Sequence, residues 1–402
     1  MRIRVAWGTG AGAAVLAVLA ALPGTAGSAG AAEPPPLGTV RGAGEGPVVH
    51  DEYIVVLKER TRERPAGVRE RARGLARAYG AEVDRTYTSA LQGFAVSATE
   101  TQARRLAADP AVAFVEPNRV ERGDATQDGA GWNLDRIDQR ALPLDGGYGY
   151  GTTAPGVTAY VVDSGIRIGH QDFGGRARYG YNFVDGNTTA SDCHGHGTHV
   201  AGSLGGASHG VAKGVKLVAV KVLNCNNQGT TANVLAGYDW VARNAVRPAV
   251  ANVSIGGSAS AAKDAAVRKM VAAGITVAVS AGNSGEAACG QSPAREPAVL
   301  TVAATTTSDA RASWSNHGSC VDLFAPGSSV VSAGHTSDTA AATKSGTSMA
   351  APHVAGAAAL YLAAHPAASP ATVSQALVSA ATQGAVADVS GAPNRLLYSR
   401  VP

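Results

Sequence analysis

From about Ala125 onward the chain alternates nearly continuous apolar runs with longer segments whose apolar positions recur every three to four residues. The runs are Val157–Val162, Val215–Val220, Val250–Ser254, Ile275–Ser280 and Val299–Ala303. Apolar runs of this length, without polar alternation, predict strands buried on both faces of a parallel sheet. Ala232–Asn244, Ala259–Ala273 and His353–Ala364 read as helices between or after them. The pattern predicts an α/β fold in three layers, a doubly wound and mostly parallel sheet whose sites gather at the carboxyl ends of strands.

Residues 51–121 carry a different pattern. Tyr53–Leu57, Ala81–Tyr87, Gly93–Ser97 and Val112–Val120 read as strands, with Arg62–Tyr79 and Thr99–Ala108 as helices. The order βαββαβ predicts a small α+β unit of the ferredoxin-like kind. Its Arg-rich first helix reads as a solvated face balanced by nearby Glu residues rather than as a nucleic-acid patch. Residues 33–50, rich in Pro and Gly, read as a linker. Residues 1–32 read as a secretory signal. Arg2 and Arg4 make a basic start, Ala11–Leu22 is an apolar run too short to anchor a chain in a bilayer, and Ala29-Gly30-Ala31 resembles a cleavage site. Export permits disulfides, and the four cysteines allow three pairings among which the residues alone do not choose.

Composition narrows the classes of partner. The chain has 402 residues, of which 16% are charged, and a formal net charge of +4. That charge is small and dispersed, and no Lys/Arg block interleaved with aromatics appears, so nucleic acid is not expected as a partner. After loss of the leader no membrane association is expected, and the chain is read as a monomer.

The chemistry centres on Gly346-Thr347-Ser348-Met349-Ala350-Ala351-Pro352-His353. Here a serine sits at a turn before a small-residue helix, where free N–H groups and the helix dipole favour developing negative charge. Alone it would be an N-capping serine. Asp163, which ends an apolar run, and His196, inside a Gly-rich histidine cluster, turn it into an acid, a base and a nucleophile. A lipase-type elbow is excluded, since Ala350 stands where its second Gly belongs and the triad order is reversed. A zinc site on His194, His196 and His199 lacks the His-Glu-x-x-His pattern. A binding protein on a spent enzyme scaffold would have lost a catalytic residue.

Three segments carry a resemblance. Ala159-Tyr-Val-Val-Asp163-Ser-Gly165, His194-Gly-His196-Gly-Thr-His199-Val-Ala-Gly202 and Gly346-Thr-Ser348-Met-Ala-Ala-Pro352 are similar to the three signatures of subtilisin-like serine proteases. Trp132-Asn-Leu-Asp-Arg-Ile-Asp138, Lys221-Val-Leu223 and Ser313–Asp322 resemble the proteinase K branch, and within it the aqualysin-type extracellular members. The resemblance implies a secreted serine endopeptidase acting on protein and peptide substrates. Asp163, His196 and Ser348 would form its triad, and Asn283 would share the oxyanion hole with the Ser348 N–H. Ala351 stands where the family often has Thr, and His194 where it often has Asn.

Other implications follow from the same likeness. Residues 33–124, folded over about 51–121, resemble the family's propeptide, which chaperones and then inhibits its own catalytic domain, here residues 125–402. Self-cleavage is expected near Asp124–Ala125. Ser254, Ile255 and Gly256 would pair with an extended substrate, helped by the loop around Asn227-Gln228-Gly229. Together with Ala281 and Gly282 they would wall a primary pocket that holds no charge, which suits apolar or aromatic side chains before the cut bond. The implied disulfides are Cys193–Cys225 and Cys289–Cys320. Structural calcium would bind the carbonyls of Pro297 and Val299 with the Asp322 carboxylate, and a second ion would bind Asp135, Asp138 and Gln139 beside Asp145. Against that second site, Asp135 and Asp138 could instead pair with Arg136 and Arg140 on a surface helix.

Overall fold

A computed structural model describes residues 37–43, 48–60, 63–119 and 125–401. The expected leader, parts of the linker and Asp124, on one side of the expected cut, lie outside the described residues. The chain divides into two compact units, one built on Asp51–Glu116 and the other on Pro117–Pro402.

The first unit follows the expected order: β1 (Val48–Leu57), α1 (Pro65–Tyr79), β2 (Glu82–Tyr87), β3 (Gly93–Ser97), α2 (Glu100–Ala108) and β4 (Val112–Arg119). The strands lie in the order β2-β3-β1-β4. Helix α1 starts at Pro65 rather than at Arg62, because proline's fixed φ and missing N–H suit a first helical position. Val68, Ala72 and Ala76 recur at four-residue spacing and pack against Val55, Phe94 and Val96 of the sheet. Arg69, Arg73 and Arg77 face solvent, as a solvated helix face requires. A reciprocal box between Thr99 and Gln102 starts α2.

The second unit runs β5 (Ala125–Asp128), α3 (Trp132–Ile137), β6 (Gly147–Tyr150), β7 (Thr158–Asp163), β8 (Ala177–Asn182), α4 (His196–Gly205), β9 (Lys216–Lys221), α5 (Thr231–Asn244), β10 (Ala249–Val253), α6 (Ala261–Ala272) and β11 (Ile275–Ser280). It continues with β12 (Leu300–Thr305), β13 (Leu323–Pro326), β14 (Val330–Ala333), β15 (Ala341–Lys344), α7 (Thr347–Ala364), α8 (Pro370–Ala380), β16 (Thr382–Gln383) and β17 (Arg395–Leu396). Nine strands form one sheet in the order β16-β17-β13-β12-β11-β10-β7-β9-β8. Among the described strands of this sheet only the short β16–β17 pair is antiparallel. Side chains alternate between two cores. Ala159 and Val161 of β7 join α4, α7 and α8 on one face, while Tyr160 and Val162 join α5 and α6 on the other.

Strand β7 is where the order turns, since the chain continues to β8 and β9 on one side and to β10 onward on the other. A crevice opens at the carboxyl end of such a strand, and Asp163 is its last residue.

Candidate active site

Asp163 is fully buried, and its Oδ1 lies 2.7 Å from His196 Nδ1. The same oxygen accepts the Ser164 N–H at 2.7 Å. His196 is the first residue of α4. Burial alone would push its pKa down, but the charge and hydrogen bond of Asp163 outweigh this and hold it above the ordinary histidine value. Gly197 next to it must be glycine, since a Cβ there would overlap Gly165 O and approach Asp163 Cβ at 3.1 Å.

One carboxylate holds both segments in register. Asp192 Oδ1 accepts from Ser164 Oγ (2.9 Å), His194 N (2.9 Å) and Gly195 N (2.8 Å), and its Oδ2 from Thr198 N (2.9 Å) and Thr198 Oγ1 (2.6 Å). Ser164 Oγ accepts the Gly197 N–H in turn, at 2.9 Å. Burial raises the Asp192 pKa, but these donors bring it below the usual carboxylate range. Nothing in the sequence marks Asp192, which reads as one more polar residue in a loop.

The helix carrying Ser348 begins at Thr347, six residues before its expected start at His353. Pro352 suggests a break, because it lacks the N–H that would bond to Ser348 O four residues earlier. That carbonyl instead accepts from Ser254 Oγ at 2.9 Å, and Ser254 Oγ accepts from Asn252 Nδ2 at 2.8 Å. The proline thus releases an acceptor that ties the serine to the end of β10. Ser348 Oγ donates to Ser254 O at 3.3 Å, a long bond for a hydroxyl.

Asn283 lies just beyond β11, and its orientation is fixed. Its Oδ1 accepts from Thr347 N at 2.8 Å and Thr347 Oγ1 at 2.9 Å, which leaves Nδ2 to donate. Thr347 Oγ1 accepts the Gly282 N–H at 3.1 Å, which completes the direction of the chain. A Cβ built on Gly346 would lie 3.6 Å from both Asn283 Nδ2 and Ser348 N, so the two donors flank one spot. In the sequence Thr347 is one letter of the serine motif; its hydroxyl, between Asn283 and Gly282, is what sets the turn.

Ser254, Ile255 and Gly256 leave the end of β10, and Ala281 and Gly282 leave the adjacent end of β11, so the expected pocket walls are neighbours. Gly282 has φ +105°, and a Cβ there would stand 2.5 Å from Gln291 Oε1; one on Gly256 would stand 3.3 Å from it. Gln291 therefore reaches both walls, and sequence reading missed it. The Asn227 loop turns at φ 59° next to the Asn224 N–H bond to Gln228 O. His199 is a buried packing residue: burial pushes its pKa down to about 3, and Nε2 donates to Val330 O and Ala342 O. His194 is also held below the ordinary histidine value, first by burial and then by Lys344 and His196.

Both expected disulfides are present, Cys193–Cys225 and Cys289–Cys320. The residues expected to hold calcium are less gathered. Among the described residues no group of three or more His, Cys, Asp or Glu stands ready to hold a metal. Val299 is buried and Pro297 exposed just before β12, and Asp322 Oδ2 accepts the Thr301 N–H there at 2.8 Å. Burial pushes the Asp322 pKa up to about 6. Asp135 accepts the N–H groups of Asp145 and Gly146, Gln139 Oε1 that of Asp145, and Asp138 Oδ2 that of Gly149. Asp138 Oδ1 is buried without a partner among the described residues, and burial, then Asp145 and Asp135, raise its pKa to about 6. The expected surface helix is in fact buried. Its Arg136 pairs with Asp309 at 2.7 Å and Arg140 stacks on Tyr398, so neither arginine takes Asp135 or Asp138.

Comparison with known proteins places this geometry in a family setting. Residues 154–395 match the subtilase family and residues 52–122 match the peptidase inhibitor I9 family. The chain is 50% identical over 364 residues to an extracellular serine proteinase of Thermus sp. (strain Rt41A), covering 86% of this chain and 89% of that one. It is 49% identical over 327 residues to alkaline serine exoprotease A of Vibrio alginolyticus, covering 80% of this chain and 61% of that one. A crystal structure of a cold adapted subtilisin-like serine proteinase is similar at TM-score 0.67 and 52% identity, covering 68% of this chain and all of that one.

Proposed function

The chain belongs to the subtilase family of serine endopeptidases, and from that premise we propose that Asp163, His196 and Ser348 are its catalytic triad, with Asn283 in the oxyanion hole. The observation that carries the reading is the 2.7 Å bond from His196 Nδ1 to a fully buried Asp163. It fixes the tautomer, leaving Nε2 as the base. The Ser348 hydroxyl, which among the described residues makes a long bond to Ser254 O, gives its proton to Nε2 as Oγ attacks the peptide carbonyl carbon. Negative charge then forms on the carbonyl oxygen, where Asn283 Nδ2 and Ser348 N–H donate. His196 passes the proton to the leaving amine as the C–N bond breaks. Water then hydrolyses the Ser348 ester by the same steps in reverse.

The substrate is an extended peptide lying along Ser254–Gly256, with an apolar or aromatic side chain between that segment and Ala281-Gly282. Gln291, at both walls, limits how deep that side chain reaches. The I9-type unit acts as the precursor's own inhibitor and is removed by self-cleavage near Asp124–Ala125. Residues 1–32 support export, and among the described residues no helix is long and apolar enough to cross a membrane. The protein works outside the cell as a monomer.

Structural calcium is part of the same proposal. Asp322 with the Pro297 and Val299 carbonyls offers hard oxygens, and calcium would relieve the cost of a buried carboxylate. At the second place, the partnerless Asp138 Oδ1 beside Asp135, Gln139 and Asp145 is the supporting feature.

The test pairs purified protein with a serine-directed covalent inhibitor and the Ser348→Ala variant. Mass spectrometry should find the inhibitor on Ser348, and the variant should lose about 10⁶ in turnover while keeping its propeptide attached. More than about one percent residual activity in the variant would remove the triad assignment.

A further inference from the structure

Three basic side chains border His196. His194 lies two residues before it, with ring centroids 6.3 Å apart. His335 follows β14 and packs on the backbone beside the base, since a Cβ on Gly195 would overlap its ring. Lys344 ends β15 opposite Val330. Burial alternates along β15, which puts Lys344 on the same face as Ala342. Ser332, opposite Ala342 on that face, donates its hydroxyl to His199 O at 2.9 Å, one helical turn from His196, so that face looks onto the start of α4. The charge of Lys344 accordingly acts on His194, His196 and His199 together.

The nearby carboxylates are all occupied. Asp163 is taken by His196, Asp192 by Ser164, Thr198 and backbone N–H groups, and Asp338 by Arg167. Lys344 is half-buried and makes no ion pair or side-chain hydrogen bond among the described residues. A half-exposed ammonium with no counter-ion among the described residues is solvated by water and open to an anion carried by a substrate.

The direction of that anion follows from the chemistry. His196 delivers its proton to the departing amine, so the peptide beyond the cut bond passes His196. The part before the bond is held on the other flank, at the ends of β10 and β11. We propose that Lys344, framed by His194 and His335, selects substrates with a carboxylate in the first or second residue after the cut bond. The proposal rests on the triad reading given above.

Quenched fluorescent peptides that differ only in carrying Glu, Ala or Lys at those two positions test it, with mass spectrometry fixing the bond cut. A charge pair about 4 Å apart in near-aqueous surroundings changes kcat/KM about fivefold, so the Glu peptides should exceed the Ala peptides by that factor and the Lys peptides fall below by the same. Salt at about 1 M should flatten the order. Lys344→Ala should level it and Lys344→Glu should invert it. Ratios taken within one enzyme preparation are unaffected by loss of active protein. Equal wild-type rates, or an order that survives in Lys344→Glu, would overturn the proposal and leave the triad standing. Failure to cut any peptide would overturn both.

Discussion

Asp192→Asn separates a structural carboxylate from a bystander, because the structure fixes what it must cost. Asparagine keeps the shape but turns one oxygen into a donor. Three donors converge on Oδ1, so the amide nitrogen is best placed at the Oδ2 position. There the Thr198 hydroxyl rotates to accept, but the Thr198 N–H meets another donor. The lost bond to a charged acceptor costs about 2 kcal/mol, and three remaining bonds weakened from charged to neutral add about 2 kcal/mol together. At about 2 to 4 °C per kcal/mol for a domain near this size, the melting temperature should fall by roughly 10 °C. Calorimetry on enzyme blocked with a serine-directed inhibitor, in excess calcium, avoids self-digestion. A second readout has a fixed sign. The charge of Asp192 helps to raise the His196 pKa, and a general base works only when neutral. Removing the charge lowers that pKa, so the acid limb of kcat/KM should move to lower pH. A melting temperature within about 2 °C of wild type would refute the clamp. So would an acid limb that moves upward.

Thr347→Val keeps the N–H bond to Asn283 but loses the hydroxyl that orients it and receives Gly282 N–H. Turnover should drop about tenfold with KM little changed, less than the roughly 10² to 10³ expected for Asn283→Ala, as steady-state kinetics on one peptide would reveal. Chelation should lower the melting temperature of inhibitor-blocked enzyme by several degrees, since an ion at roughly 100 times its dissociation constant contributes about 2.7 kcal/mol. Asp322→Asn should reproduce part of that loss in excess calcium. An unchanged melting curve under chelator would rule out both calcium assignments.

Much of the fold and site is legible in the sequence, for reasons tied to particular residues. The strands at Val157–Val162 and Ile275–Ser280 announce themselves because both faces are buried, and their carboxyl ends locate Asp163 and Asn283. Strands β8 and β13 are hidden because Gly180 interrupts one and the other has only Leu323–Pro326 to offer. The start of α7 is hidden by Pro352, whose penalty Ser254 offsets from a distant element. Asp192, Gln291 and Lys344 carry no local pattern at all. Their roles arise from which loops the sheet brings together, and no window of the sequence contains that.

Helix α7 has a consequence for the life of a chain still being made. It is the buried cover of β10, β11, β12 and β13, apolar almost throughout. Asp163 and His196 leave the ribosome well before it, and Ser348 arrives at its first turn. Until that helix docks, β10 to β13 lack their cover on that face and Thr347 and Ser348 are not held against Asn283 and Ser254. On the triad proposed above, a nascent or truncated chain is therefore a harmless one: the element that closes the core also brings the Ser348 hydroxyl, so destructive capacity appears only when the molecule is complete enough to resist it.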